Sequence, residues 1–278
     1  MTDNRSAKGW LKLVLSHSVL LASAVVFLFP FVWMLFGSFK DSLEVVKMPP
    51  RLLPSEWKLS NYTQIQTYFP IYKFLFNSLA VSVVSTVLQL LVCAMSAFVF
   101  AKIPFKGRDG LFFLFLVTMM IPMQVTLTPL FIVFQKLNLL NTYAGLILPG
   151  IFSAYGTFLL RQHMMTVPDS LLEAAYMDGA SYYRVFWNVM LPLSKPALAT
   201  LAIFAFMSSW NNFLWPLIVV SDTNLLTLPV GLSKLQGRWS TEWNILMAGN
   251  VISFIPIFVV YLFAQKYFIR GMTLSGIK

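Results

Sequence analysis

Six apolar runs divide this sequence, and each is long enough, or nearly so, to cross a lipid bilayer as a helix. A hydrocarbon core of about 30 Å needs roughly 20 helical residues, because lipid offers no partner for an open backbone N–H or C=O group. Charged residues make up only 11% of the chain, far below the roughly 25% of soluble domains. We therefore predict an all-α, polytopic membrane protein of about six transmembrane helices. These helices are expected at residues 15–36, 74–100, 111–134, 143–160, 197–220 and 245–263.

The lysines and arginines between the runs indicate the orientation in the membrane. Summed over alternate segments, twelve of these residues fall on one side and eight on the other, and five of the eight lie in residues 37–73. Short segments rich in Lys and Arg stay in the cytoplasm, so both termini are expected there. The first run continues as one apolar segment to Phe36, beyond the triplet Ala22-Ser23-Ala24. We therefore expect it to be a retained span and not a signal peptide.

Sequence patterns that would indicate other mechanisms are missing. No Asp, Glu, Lys or Arg lies within the expected spans, although ion-coupled carriers usually keep an ionisable group in the membrane. Sodium can be bound by carbonyl and amide oxygens alone, so this absence argues against an ion-coupled carrier without excluding one. No G-x-x-x-x-G-K-[ST] loop is present to hold a nucleotide phosphate, and no H-E-x-x-H pair to hold zinc. The sequence thus indicates no catalytic residue, no metal site and no cofactor on this chain.

Basic residues and cysteine exclude two further classes of function. The twenty Lys and Arg are scattered over short segments and form no basic stripe, so no nucleic-acid partner is expected. The single cysteine, Cys93, lies inside an apolar run, which excludes an intrachain disulfide and a cysteine-based metal cluster. A packing role is expected for Cys93.

The segment 161–196, between the fourth and fifth runs, combines helix signals with charge. Ser170 and Glu173 have the S-x-x-E spacing of a capping box, so a helix is expected to start at Ser170. Gly179 stands where a chain leaving a helix commonly takes a positive φ. The predicted product is a helix of about two turns followed by a sharp turn. The apolar face of this helix, spaced i, i+3 and i+4, consists of Leu172, Ala175 and Tyr176.

A second helix is expected directly after this turn. Ser181 can cap its start, because a serine hydroxyl accepts a hydrogen bond from an early backbone N–H group. Pro192 and Pro196 are expected to break the chain before the fifth span, since proline clashes in a helix interior. The apolar residues of this second helix recur at helical spacing and suit a membrane headgroup boundary: Tyr182, Val185, Phe186 and Val189.

The spacing of this segment resembles the EAA loop of ABC importer permeases. The residues that carry the resemblance are Glu173-Ala174-Ala175, Gly179 after three intervening residues, and Val189-x-Leu191-Pro192, with Val189 where the family has Ile. The resemblance implies that the helix from Ser170 to Asp178 is a coupling helix that docks into a separate ATP-hydrolysing subunit. The coupling residues it implies are Ser170, Glu173, Ala174, Ala175, Asp178, Gly179, Leu191 and Pro192. We refer to residues 161–196 as the EAA loop.

Further stretches resemble the maltose-type branch of this family, which imports carbohydrates. They are Trp210-Asn211-Asn212-Phe213-Leu214-Trp215, Thr227-Leu228-Pro229-Val230-Gly231-Leu232, Met247-Ala248-Gly249 and the tail from Gly271 to Lys278. The resemblance implies that residues 221–243 reach outward to a docked binding protein and that the tail contacts the ATPase.

The resemblance also implies a set of partners and a domain layout. The partners are a second homologous permease subunit, expected to form a heterodimer, two ATP-binding-cassette ATPase subunits that carry ATP and Mg, an extracytoplasmic solute-binding protein, and the lipid of the cytoplasmic membrane. The expected layout is a cytoplasmic N-terminus (1–14), a first transmembrane helix (15–36), an extracytoplasmic loop (37–73), a core permease domain (74–268) containing the EAA loop, and a cytoplasmic C-terminal tail (269–278).

Two questions stay open at this level. Trp210, Asn211, Asn212 and Trp215 can serve as hydrogen-bonded contacts between helices or can line a polar substrate pathway, because amides inside a span must bond to something. The function itself has two alternatives to an ATP-driven carbohydrate importer. One is an ion-coupled secondary carrier, and the other is a membrane scaffold or sensor attached to an ATPase without transport.

Overall fold

The structure is a computed structural model that describes residues 7–68, 70–235 and 242–274. Within these residues all regular secondary structure is helical. The chain divides into two compact units, Met1–Pro70 with Lys234–Phe254, and Ile71–Ser233 with Ile255–Lys278. The all-α prediction is confirmed.

The first unit contains three helices from the start of the chain and part of a fourth from its end. A buried amide braces it: Asn61 donates from Nδ2 to the carbonyls of Ser38 (2.9 Å) and Lys40 (2.8 Å) and accepts from Nδ2 of Asn244 at 3.2 Å. This network fixes the chain as it leaves the first helix. The helices are α1 (Ala7–Gly37), α2 (Ser42–Val45), α3 (Ser60–Tyr68) and the beginning of α15 (Trp243–Leu274).

An ion pair orders the connection between α1 and α3 in the same unit. Lys58 donates to the carboxylate of Asp41, and this hydrogen bond holds the pKa of Asp41 below its ordinary value. Asp41 also accepts from the backbone N–H of Leu43 and so caps α2. The connection is therefore an ordered loop.

The second unit is built around the long helix α4 (Ile71–Lys102). Its other helices are α5 (Arg108–Val117), α6 (Met123–Lys136), α7 (Tyr143–Ile147), α8 (Ala154–Met165), α9 (Asp169–Met177), α10 (Tyr182–Val185), α11 (Leu191–Leu193), α12 (Lys195–Trp210), α13 (Leu214–Val219), α14 (Leu228–Ser233) and the rest of α15. Helices α4, α8 and α12 form its core, where Cys93, Leu160 and Leu201 are buried side by side. Cys93 thus packs, as expected.

Three helical stretches in the described residues are long and apolar enough to span a membrane: Lys12–Gly37, Ile71–Lys102 and Trp243–Phe263. Three bent pairs bring the number to as many as six, if each pair is one span. They are Arg108–Met120 with Met123–Lys136, Tyr143–Gly150 with Ala154–Met165, and Tyr182–Leu193 with Lys195–Trp210. A polytopic helical membrane protein is confirmed, and the bends are the feature that a reading of apolar length misses.

The expected third span, 111–134, is broken and not merely kinked. Helices α5 and α6 are bent by 98° where the chain passes Ile121 and Pro122. Pro122 lacks an N–H and forces its predecessor out of the helical region, and Ile121 accordingly has φ −85° and ψ 113°. Pro129 lies inside α6 without ending it. Only the first of the two prolines interrupts the helix.

The N-terminal end of α4 is tied to the residues that follow α13. Asn77, fully buried, donates from Nδ2 to the carbonyls of Asn224 (2.9 Å) and Leu226 (3.0 Å), and its Oδ1 accepts from the hydroxyl of Tyr143 at 2.6 Å. Ser78 accepts from the backbone N–H of Leu228 at 2.7 Å. These hydrogen bonds therefore hold residues 222–228 against α4.

Candidate functional site

Helix α9 is the helix that the EAA loop predicted, and it is amphipathic as expected. Leu172 is 4% exposed, and Ala175 and Tyr176 pack beside it against the core. Glu173 and Ala174 lie on the opposite, exposed face. Helix α9 therefore buries one face in the unit and leaves the other exposed.

The start of α9 differs from the expected capping box. The helix begins at Asp169, Pro168 occupies the N-cap position, and no side chain caps the first turn. Ser170 thus lies inside the helix, exposed beside Glu173. Pro168 takes the N-cap position with a φ of −59°, two residues before Ser170. The helix has therefore already begun when the chain reaches the serine. The capping-box prediction is wrong, although the helix that it located is present.

Gly179 ends α9 in the way that the sequence predicted. Its φ is +77°, a left-handed conformation that side chains with a Cβ rarely adopt. The N–H of Gly179 donates to the Tyr176 carbonyl at 2.9 Å, and that of Ala180 to the Ala175 carbonyl at 3.0 Å. Asp178 is the last residue before this turn and is exposed. The turn reverses the chain toward the second helix of the loop.

The second helix of the EAA loop starts where expected but ends later. The Ser181 hydroxyl accepts from the N–H of Arg184 at 3.4 Å and caps α10. The helix then continues through a π-helical turn, Phe186–Met190, and through Pro192 in α11. The bend, of 78°, falls after α11 at Ser194. The expected break before the fifth span is therefore present, between Pro192 and Pro196. Pro192 itself lies within α11, where the π turn before it accommodates its missing N–H.

The EAA loop rests on the core of the second unit. One buried cluster contains Ala97 and Phe98 of α4, Leu160 of α8, Leu172 of α9 and Leu201 of α12. The rings of Phe98 and Phe186 lie 5.5 Å apart. Because protein interiors are close-packed, a displacement of α9 has to move the helices that share this cluster.

Polar contacts that the sequence did not reveal hold the loop to α4. The ammonium of Lys102 donates to the Val167 carbonyl at 2.7 Å and to the Asp169 carboxylate at 2.6 Å. Arg161 donates to the Phe100 carbonyl at 3.1 Å and to Asp109 at 2.9 Å. The partners in these hydrogen bonds lie 52 to 67 positions apart in sequence, so no local pattern could have paired them.

Three buried polar atoms of the loop have no hydrogen-bond partner among the described residues: the Tyr176 hydroxyl, the Trp187 Nε1 and the Ser194 hydroxyl. The Tyr176 ring meets Tyr182 edge to face at 5.4 Å, and burial raises the pKa of the Tyr176 phenol. Tyr176 therefore stays neutral at physiological pH and packs α9 against α10.

The second candidate site, the aromatic and amide residues of the fifth span, lies at the far end of α12. A helix of this length measures about 24 Å from Lys195 to Trp210, at about 1.5 Å per residue. Asn211 and Asn212 occupy the break between α12 and α13. The EAA loop and the residues from Trp210 to Trp215 therefore lie at opposite ends of α12.

The two tryptophans of this group differ in their contacts. Trp215 is 1% exposed and donates from Nε1 to the Gly145 carbonyl at 2.8 Å, so it joins two helices. Trp210 is equally buried and stacks on Phe206 at 5.8 Å, but its Nε1 has no partner among the described residues. Asn211 returns its amide to the Met207 carbonyl at 2.9 Å. Trp215 therefore serves as a contact between helices, and the remaining three keep the pathway role as a prediction.

A bundle of apolar helices long enough to span a membrane, together with an amphipathic helix that leaves one face exposed, defines a polytopic helical membrane protein. Residues 89–274 match the family model described as "Binding-protein-dependent transport system inner membrane component". The chain belongs to this family.

Relatives agree with this family over nearly the whole chain. The chain is 39% identical over 258 residues to the arabinooligosaccharides transport system permease protein AraQ of Halalkalibacterium halodurans, which covers 92% of each chain. It is 36% identical over 280 residues to the sn-glycerol-3-phosphate transport system permease protein UgpE of Escherichia coli, which covers 98% of each.

A solved structure has the same fold. A bacterial ABC transporter involved in the import of the acidic polysaccharide alginate contains a chain that is 25% identical and superposes with a TM-score of 0.85. The match covers 96% of this chain and 100% of that one. The expected importer fold is confirmed.

Proposed function

We propose that this chain is one of two membrane-spanning halves of an ATP-driven importer that takes up a carbohydrate delivered by a solute-binding protein. The observation that carries the proposal is the placement of α9. Its Glu173 face is exposed, whereas Leu172 belongs to a buried cluster that also contains residues of α4, α8 and α12. A partner that grips the exposed face can therefore move three helices of the unit together.

The chain transmits motion and performs no hydrolysis in this proposal. Two ATPase subunits beneath the membrane carry ATP and Mg, and their closure displaces α9. The helices packed on α9 follow, and the central pathway between this chain and a second, similar subunit opens outward. Met177 and Leu171, which are 88% and 47% exposed, offer apolar surface for the grip beside Glu173.

The carbohydrate assignment is supported by the relatives and by the residues at the break after α12. Relatives are named for transport of arabino-oligosaccharides and of sn-glycerol-3-phosphate, and the solved neighbour is an importer of alginate. Amides beside aromatic rings suit sugars, because rings stack on C–H surfaces while amides bind hydroxyls. Asn211 and Asn212 supply the amides, whereas Trp210 is buried against Phe206 and would have to be uncovered to offer its ring.

The orientation follows from the same proposal. The EAA loop and both termini lie on the cytoplasmic side, in agreement with the excess of Lys and Arg in those segments. Residues 37–73 and 221–243 lie outside, where the solute-binding protein docks. Of these, 69 and 236–241 lie outside the described residues, as do residues 1–6 of the N-terminus and 275–278 of the tail.

The experiment is uptake into proteoliposomes that contain the chain with its partner permease, ATPase and binding protein. Arabino-oligosaccharides, alginate oligosaccharides and sn-glycerol-3-phosphate are first screened against the binding protein, and the tightest ligand is supplied in labelled form. We expect uptake that requires ATP and is unaffected by a protonophore. Uptake that persists without the ATPase and collapses with the protonophore would instead establish an ion-coupled carrier. Binding without any uptake would favour a scaffold or sensor.

A further inference from the structure

The start of α9 has an unusual means of support. No side chain of α9 caps its first turn, and Pro168 supplies the N-cap position without a hydrogen bond. The direction of a nine-residue helix is therefore not set at this end by its own sequence. A contact from outside the helix takes that place.

Lys102 makes this contact from the last turn of α4. Its side chain is 5% exposed, so the ammonium is buried at the junction, whereas the Asp169 carboxylate is 76% exposed. The two acceptors of Lys102, the Val167 carbonyl and Asp169, bracket Pro168. One cation thus grips the chain on both sides of the point where α9 begins.

Charge and helix polarity favour this arrangement. A cation is stabilised at the C-terminal end of a helix and an anion at an N-terminal end, and Lys102 and Asp169 occupy these ends of α4 and α9. Hydrogen bonds between ionised groups are about twice as strong as neutral ones. Leu172, one turn further along α9, packs in the cluster that contains Ala97 and Phe98 of α4.

We propose that Lys102 is a positioning residue that fixes the direction of α9 relative to α4, so that motion applied to the exposed face of α9 reaches the membrane helix. The inference rests on the proposed function for its consequence in transport, but the geometric claim concerns this chain alone. Arg161, the neighbouring cation, bonds Phe100 and Asp109 and does not reach α9. Without Lys102, the start of α9 would have no polar contact with α4, and apolar packing of Leu172, Ala175 and Tyr176 would hold the helix.

The two partners differ in what their removal does to folding. Lys102→Met keeps the apolar stem of the side chain and leaves Asp169 in water, so the fold is retained. Asp169→Asn leaves the buried ammonium with the Val167 carbonyl but without a counter-charge, which is the costlier change. Lys102→Met is therefore the variant of choice, with Lys102→Arg as the conservative rescue. Lys106→Met, an exposed cation four residues on, is the matched control.

The test measures the α4 to α9 distance directly. Nitroxide labels are attached at Val87→Cys on α4 and Leu171→Cys on α9, which are 51% and 47% exposed, with Cys93 replaced by serine. Pulsed electron–electron double resonance is recorded on the purified chain without ATPase and on the complex with MgATP and vanadate. Because Leu171 lies on the face proposed to bind the ATPase, retention of the ATPase is quantified in the unlabelled parent, and the labelled chain alone decides the role of Lys102. The parent, Lys102→Arg and Lys106→Met are expected to give one narrow distance in both states.

Lys102→Met is expected to give a distribution about twice as wide, which shifts further when nucleotide is trapped. A distribution as narrow as that of the parent in both states would overturn the inference. If the parent chain fails to retain an ATPase subunit, the proposed function fails instead. The nucleotide-free distributions then still decide the role of Lys102, because they depend only on this chain.

Discussion

Gly156 of α8 and Cys93 of α4 approach so closely that a Cβ on the glycine would lie 2.9 Å from the cysteine Sγ. The same Cβ would lie 3.0 Å from a methyl group of Leu201 in α12. The three helices beneath the EAA loop therefore meet at a point where only glycine fits. Because the three helices are in contact there, a displacement of one of them requires the other two to move.

Gly156→Ala is expected to destabilise the second unit. The added methyl has to push apart side chains on two helices, and overpacking of this kind costs about 1–3 kcal/mol. The apparent melting temperature in detergent should fall by several degrees. Gly110→Ala is the matched control, because a Cβ there meets nothing within 4 Å, and it should leave the melting temperature unchanged. Equal effects of the two variants would contradict the close packing.

Gly179→Val is expected to disturb the turn after α9 without filling any space. A Cβ at this residue meets no atom within 4 Å, but its φ of +77° strains any β-branched residue by about 1–2 kcal/mol. Gly179→Asn should behave nearly as the parent, since asparagine tolerates this conformation. Co-purification of the ATPase subunit is the measurement. A valine variant that retains the ATPase as well as the asparagine variant does would show that the turn does not matter.

Asn77→Leu should loosen residues 222–228 from α4. The change removes three hydrogen bonds and leaves the Asn224 and Leu226 carbonyls unpaired, at a cost of about 1–3 kcal/mol per buried group. Tyr143→Phe removes one of the three bonds and should cost less. Hydrogen exchange of residues 222–228 reports the change. Protection that is equal in parent and Asn77→Leu would contradict this role.

The two tryptophans at the break after α12 should separate stability from transport. Trp215→Phe loses the hydrogen bond to Gly145 and should lower the melting temperature. Trp210→Phe removes the same buried volume but loses no hydrogen bond within the described residues, so its melting temperature should fall less than that of Trp215→Phe. A selective loss of uptake in Trp210→Phe would support the pathway role. Unchanged uptake would leave Trp210 with packing alone.

Much of this organisation could be predicted because its signals are local. The apolar face of α9, the Gly179 turn and the Ser181 cap each depend on residues within a few positions of one another. The break between Pro192 and Pro196 could be predicted from the prolines, but the π turn that carries the helix through Pro192 could not, because no local pattern indicates it. The pairing of Lys102 with Asp169 joins residues 67 positions apart. Only the three-dimensional fold brings such residues together.

The proposed function depends most on binding of the ATPase subunit to the exposed face of α9. The most direct measurement replaces Glu173 with lysine and quantifies both the ATPase subunit that co-purifies and ATP-driven uptake. Lys106→Glu, a charge reversal at an exposed residue between α4 and α5, is the matched control. The account predicts that Glu173→Lys loses ATPase attachment and uptake together while its melting temperature is unchanged. Full attachment and full uptake in Glu173→Lys would contradict it.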